Sequence, residues 1–255
     1  MDDHTNISVK NLVSQEEWVA RCDLAALYRL IRMHGWDDLF FTHISMRVPG
    51  PEEHFLINPF GLLYEDVTAS NLVKVDLHGN VLPPSQYGIN PAGFTIHSAI
   101  HEARPDVKVA MHVHTDDGVA VSCQKQGLLA ISQLSMNVIC DVCYHDYEGL
   151  ALEAEEKVRL VKDLGDKNIM ILRNHGTLTV GANAFAAYVR MYLLERACKI
   201  QIRAQVAGSE CIQWGVDMQN RVHKQGEGLN NELFQQIAWA AMLGRVERES
   251  PGYNT

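Results

Sequence analysis

The sequence lacks any long apolar run. No stretch approaches the roughly 18 to 20 apolar residues that a membrane helix requires, so no membrane association is expected. Its opening residues, MDDHTNISVK, have neither the basic start nor the apolar core of a secretory signal. Basic residues are scarce as well. The 22 Lys and Arg stand against 31 Asp and Glu, a formal net charge of −9. Such a surface repels polyanions on average, and no Lys/Arg run offers a local patch, so nucleic acid is not an expected partner. Cysteines number six, and only Cys140 and Cys143 form a CxxC. No second pair completes a zinc site. With no signal, the cysteines read as reduced thiols of a cytoplasmic protein.

What the sequence does contain is an ordinary globular balance, 47% hydrophobic and 21% charged over 255 residues. This is enough for one large domain with a sizeable core. Residues 1–13 read as a tail. Ser14 and Glu17 form a capping-box pattern that opens a helix closed by Gly35. Strands are expected at Phe41–Arg47 and His54–Asn58, and a hairpin at Leu72–Leu82 turns on His78-Gly79-Asn80. Asn90-Pro91 starts a helix that ends before Pro105. Val107–His114 reads as a strand, and Thr115 caps a helix to about Gln126. Further strands are expected near Leu129–Ser132 and Ile169–Leu172. Helices are expected at Leu152–Asp163, at Ala184–Ala207 closed by Gly208, and at about Asn231–Leu243. Interleaved helices and strands define an α/β or α+β chain.

His112 and His114 lie two apart on an expected strand, so both side chains leave one face. Two imidazoles in an apolar strand need a shared partner, and a metal ion is the simplest. The alternative is a pair of core histidines bonded to carbonyls. His175 ends another apolar strand, and Gly176 behind it permits a tight turn. Three neutral imidazoles would leave a divalent ion with open positions and its full charge. His97 and His101, four apart on a helix, share a face that reads as solvated or as facing a substrate. Glu102 follows His101, so no HExxH pattern is present.

These residues resemble the class II aldolase/adducin family. The resemblance rests on Pro91-Ala-Gly-Phe-Thr-Ile-His97, Ala103-Arg-Pro-Asp-Val107, Met111-His-Val-His114 and Asn174-His-Gly176, with Phe41–Arg47 and Ile57–Gly61 fitting its N-terminal part. It covers roughly residues 14–207, leaving 208–255 as a helical extension packed on the same domain. The resemblance implies a three-layer α/β/α sandwich around a largely antiparallel sheet, and a homo-oligomer, commonly a tetramer. It also implies one divalent metal ion, Zn, Mn or Fe, on His112, His114 and His175.

The departures from the family pattern are specific. Gly93 stands where the sugar-phosphate aldolases carry a catalytic Glu. Pro91 and Ala92 replace a serine pair that helps hold phosphate. Thr42-His43 replaces a Gly-Asn of the phosphate loop, and Phe60, beside Gly61, replaces a Ser or Thr. Thr42, Phe60, Gly61, Gly93 and His97 are therefore expected to line the substrate pocket, and a phosphorylated sugar is disfavoured. What remains is a metal-dependent lyase, an aldolase or decarboxylase, that takes a small non-phosphorylated hydroxy- or oxo-acid through an enolate. His43, Tyr144 and His145 are the candidate proton carriers, with Tyr87 behind them. The alternatives are a three-histidine iron oxygenase acting on a 2-oxo acid and a non-catalytic adducin-like interaction module. Trp214, Phe234, Trp239 and Tyr253 are candidates to cover a site mouth or a subunit seam.

Overall fold

The computed structural model describes residues 9–149, 154–206, 208 and 210–255. Within the expected tail, residues 9–11 form a single 3-10 turn, and residues 1–8 lie outside the described part. The elements in chain order are α1 (Gln15–Met33), β1 (His43–Arg47), β2 (His54–Ile57), β3 (Val73–Asp76), β4 (Val81–Leu82), α2 (Pro91–Ala103), β5 (Val109–Val113) and α3 (Asp116–Ser122). The second half supplies α4 (Gln133–Val138), β6 (Val142–His145), α5 (Ala154–Leu164), β7 (Ile169–Leu172), β8 (Gly176–Gly181), α6 (Ala184–Val206), α7 (Val216–Gly226) and α8 (Glu232–Glu249).

The eight strands form one sheet in the order β4-β3-β2-β1-β5-β8-β7-β6. Every neighbouring pair is antiparallel except β6 with β7, which run parallel and are joined through α5. Helices cover both faces. On one, Val109, Met111 and Val113 of β5 pack with residues of α1, α6 and α8. On the other, Ala110 of β5 and Leu178 and Val180 of β8 meet Ile96 and Ile100 of α2 and Leu160 and Leu164 of α5. Each fully buried Leu or Ile in these layers contributes about 2 kcal/mol. The chain is thus the expected three-layer α/β/α sandwich with a largely antiparallel sheet.

Local chemistry explains most of the element ends. Ser14 accepts a hydrogen bond from the Glu17 amide and so caps α1. The Glu17 side chain does not close the capping box. It pairs instead with Arg21 and Lys74, in the interior. Gly35, at φ +66°, ends α1, with the Trp36 amide reaching back to the Ile31 carbonyl in a Schellman arrangement.

Several expected boundaries need correction. The strand expected at Leu129–Ser132 is not formed. The Leu129 amide bonds the Gln201 side chain, and Ser132 caps α4. Helix α3 stops at Ser122, four residues early, ahead of Gly127 at φ +64°. Helix α8 runs six residues beyond Leu243, to Glu249. Residues 152–153 and Ala207, expected as helix ends, lie outside the described residues. The C-terminal segment packs on the same body. Trp239 donates to Asp23 (2.9 Å), Val246 and Tyr253 are buried against α1, and the Ala69 amide donates to the Tyr253 carbonyl (2.7 Å).

Candidate metal centre

Strand β5 is buried along its whole length. Its alternation turns His112 toward the α2 side, the same side as Ala110, and His114 follows two residues on. His175 arrives from the neighbouring hairpin. The β7–β8 turn spans three residues between the paired Leu172 and Gly176. Asn174 sits there at φ +57°, a left-handed conformation that Asn tolerates better than most residues. Gly176 is required behind it, because a Cβ there would lie 2.5 Å from the Val113 carbonyl oxygen and 3.0 Å from the His114 ring.

The three rings meet through Nε2. His114 Nε2 lies 2.8 Å from His112 Nε2, which lies 3.3 Å from His175 Nε2. The other nitrogens of the β5 pair are committed. His112 Nδ1 donates to the Thr177 carbonyl (3.0 Å), and His114 Nδ1 donates to the Asp38 carboxylate (3.0 Å). A neutral imidazole has one N–H and one lone pair. With both protons on Nδ1, the two Nε2 atoms aim lone pairs at each other, an arrangement that repels unless a cation lies between them. Tetrahedral ligation at about 2.1 Å spaces nitrogens roughly 3.4 Å apart, so the cluster fits a divalent ion after a slight opening. Burial keeps His112 and His175 in the neutral, ligating form. It pushes His112 well down and takes His175 to about 4, with the neighbouring histidines adding to each shift. Carbonyl and carboxylate partners on Nδ1 are the usual outer support of a metal-bound imidazole.

The cluster forms part of the wall of a cavity of about 580 Å³. Beside it stands His43, on β1, the cross-strand neighbour of His112 on the same face of the sheet. His43 is 4% exposed, and neither ring nitrogen has a partner in the protein. Burial, helped by His114 and His175, takes its pKa down to about 4. Gly93 explains how the ring fits. A Cβ at that position would lie 2.3 to 2.5 Å from three atoms of the His43 imidazole. The space in front of Gly93 is filled by His43.

The other sequence candidates divide cleanly. Gly93 and His97 line the cavity. Thr42 does not. It is fully buried, and its hydroxyl shares a hydrogen bond with the Tyr64 hydroxyl (2.7 Å). Phe60 is half exposed and packs edge-on against Phe40, and neither it nor Gly61 lines the cavity. Tyr144 also lies away from it. Its hydroxyl accepts from the Leu128 amide (2.9 Å), and the Arg173 guanidinium covers its ring at 4.1 Å. His145 Nδ1 bonds Asp163 (2.7 Å), and its ring faces a narrow crevice behind His175, not the main cavity.

The solvated reading of His97 and His101 is overturned, since both are 1% exposed. Ser45 Oγ lies 2.6 Å from His97 Nδ1 and 2.7 Å from His101 Nε2. His101 also stacks on Phe55. Cys140 and Cys143 are free thiols, both pushed up by burial, Cys143 to about 12. Trp214, Phe234, Trp239 and Tyr253 do not line the cavity. Asp38, Phe41, Asn90, Ile96, Tyr147, Gly149 and Asn174 of the wall were not assigned to it from sequence. Of these, Phe41, Ile96 and Asn174 lie in the motifs that carry the resemblance and Asn90 in a helix-start signal, but none of these signals points to a cavity wall. Asp38 lies in a loop with no periodicity to mark it.

Comparison with known proteins gives a family match over residues 22–202, described as the class II aldolase and adducin N-terminal domain. An aldolase II superfamily protein of Pseudomonas syringae, known from a crystal structure, is similar over 97% of this chain and 100% of its own. It shares 49% identity at a TM-score of 0.93. An L-fuculose 1-phosphate aldolase from Glaciozyma antarctica is similar over 94% of this chain and 93% of its own, at 29% identity and a TM-score of 0.80. Mouse alpha-adducin is 49% identical over 190 residues. These are 73% of this chain but 26% of the adducin.

Proposed function

Because the chain belongs to the class II aldolase and adducin family, we propose that it is a metal-dependent carbon–carbon lyase, an aldolase or decarboxylase. Its substrate is a non-phosphorylated hydroxy- or oxo-acid. The observation that carries this reading is the juxtaposition of three convergent Nε2 atoms with the unpartnered His43 ring beside them in the wall of one cavity. A divalent ion on three neutral imidazoles would keep its +2 charge and act as a Lewis acid toward the oxygens of a chelating acid.

The chain's own residues do the remaining work. His43 is neutral at physiological pH, so it offers one N–H and one lone pair at the cavity. When carbon dioxide or an aldehyde leaves, the carbon left behind must take up a proton, and His43 is placed to supply it. Asp38 orients His114 through its Nδ1 proton. None of the described residues lining the cavity is Lys or Arg, which disfavours a phosphate dianion. In this reading the native ion is zinc, manganese or iron, and the protein works as a cytoplasmic homotetramer.

The 49% identity to alpha-adducin favours one second reading, a binding module that keeps the fold and performs no chemistry. One experiment separates the two. Protein purified without added metal, and then after reconstitution, is assayed for bound metal beside His114→Ala, and for product release from 2-oxo acids and aromatic carboxylates. One equivalent of metal, lost in His114→Ala, together with carbon dioxide or aldehyde release, supports the lyase. Metal with oxygen uptake points to an iron oxygenase in the same site. No metal in either protein after reconstitution overturns the centre and leaves the module.

A further inference from the structure

No step of the proposed chemistry uses Glu195, a buried carboxylate in the middle of α6. We propose that Glu195 is a positioning residue of the metal centre, tying the end of β5 to the start of β8 through Thr115 and Thr177 and so fixing the spacing of the three histidines. This rests on the metal centre of the proposed function.

A carboxylate in this place is expensive. Glu195 is 2% exposed, and Met191, Leu194, Ala197 and Cys198 beside it on α6 are buried as well. Among the described residues it makes no ion pair, and its hydrogen-bond partners are the Thr115 and Thr177 hydroxyls. An apolar side chain would pack this helix on the sheet at lower cost.

The two threonines stand where the ligands leave the chain. Thr115 follows His114 directly, past the end of β5, and Thr177 lies two residues beyond His175, at the start of β8. The Thr177 carbonyl accepts from His112 Nδ1 (3.0 Å), so the residue that Glu195 grips also orients the remaining ligand. Thr177 pairs with Val113 across the ladder, between the two ligands of β5. One carboxylate therefore spans both strands at the level from which all three imidazoles project. Its own frame is fixed separately. Thr179 donates to the Ala187 carbonyl (3.1 Å) and Arg190 to the Val180 carbonyl (2.7 Å), which hold α6 to β8.

The tie needs two acceptor oxygens. Thr177 Oγ1 donates to Glu195 Oε1 (2.5 Å), and Thr115 Oγ1, which accepts from the Gly118 amide (3.0 Å), donates to Oε2. An ionised carboxyl takes both protons, whereas an amide offers a single acceptor oxygen and can take one. Gly118 leaves the room, since a Cβ there would lie 3.0 Å from Glu195 Oε1 and 2.8 Å from Thr115 Oγ1.

The test is a zinc(II) competition titration of the full-length protein at pH 8, beside urea unfolding of the metal-free form. Thr177→Val, which keeps the charge and removes one tie, is expected to weaken zinc binding about tenfold. Thr177→Ser, which keeps the hydroxyl, is expected to retain the parent affinity. Glu195→Gln is expected to lose about as much affinity as Thr177→Val while its metal-free form is no less stable than the parent. A residue that served stability alone would instead move affinity and stability together. Parent affinity in a folded Thr177→Val overturns the proposal, even if Glu195→Gln is weakened, because the effect would then belong to the charge. Parent affinity in Glu195→Gln overturns it even if Thr177→Val fails to fold. No zinc on the parent protein overturns the centre itself, and the tie with it.

Discussion

Two sets of histidines meet near one cavity, His112, His114 and His175 in its wall and His101 behind the lining residue His97, and they settle their polarity differently. His97 and His101 are given a bridging hydroxyl by Ser45, which occupies the inner nitrogen of each ring. His112, His114 and His175 are given no bridge. Their outer nitrogens are satisfied by Thr177 and Asp38 where the protein has a partner to offer, and the inner ones are left crowded together. The first set leaves one nitrogen of each ring, His97 Nε2 and His101 Nδ1, without a partner but holds its inner nitrogens on a shared hydroxyl, whereas the second calls for a cation. His43 lies between them and belongs to neither, with both ring nitrogens free of protein contacts. Burial alone therefore does not mark a functional histidine. What marks it is the direction in which its unpaired nitrogen points.

The contrast can be broken at His43. Gly93→Glu restores a carboxylate but drives its Cβ into the imidazole, at an expected cost of about 3 kcal/mol in urea unfolding. Adding His43→Gly to Gly93→Glu is expected to recover about 2 kcal/mol of that loss. Purely additive effects would mean that the two positions do not share the space. Asp38→Asn acts on the metal side alone. It is expected to weaken metal binding about 10- to 100-fold in a competition titration.

Glu195 sharpens the comparison from behind the ligands. It is buried, takes hydrogen bonds from Thr115 and Thr177, and is pushed by burial up to about 7. A carboxyl whose folded pKa exceeds its unfolded value favours the fold when protonated. Its contribution is therefore full below about 4.5 and is lost as pH rises through 7. Glu195→Gln is accordingly expected to match the parent at pH 5 and to exceed it by on the order of 2 kcal/mol at pH 8. Thermal or urea unfolding at the two pH values checks this, and an equal difference at both would refute it.

Much of this was legible in the sequence, for identifiable reasons. The two-residue spacing of His112 and His114 places them on one strand face whatever the rest of the fold does. Ser14, Gly35 and Asn90-Pro91 act locally, so the helix ends they specify could be read directly. The failures were non-local. Leu129–Ser132 reads as a strand, but its backbone is met by Gln201 and Trp214 from distant segments. Strand β8 begins and ends on glycine, which hides it from propensity, although it is the partner that completes the centre. For His97 and His101 the shared face was visible. That the face would meet a serine on β1 was not, because only the packing of helix on sheet brings Ser45 there. His43 could be named as a candidate from its position. That it fills the space left open by Gly93 could be seen only in three dimensions.

Strand β5 carries no alternation of wet and dry, since all five of its residues are buried. Hydrophobicity thus has little say over which side chains face which layer, and a slip of one residue would leave the strand about as greasy on both sides. The glycines of β8 act as index marks instead. Gly176 lets Val113 approach at one end, and Gly181 lets Ala187 approach at the other, where a Cβ would come within 2.4 Å of its amide nitrogen. A single-residue deletion inside β5 would therefore be an all-or-none event for the centre. His112 or His114 would turn to the opposite layer, and no neighbouring residue could take up the lost position by degrees.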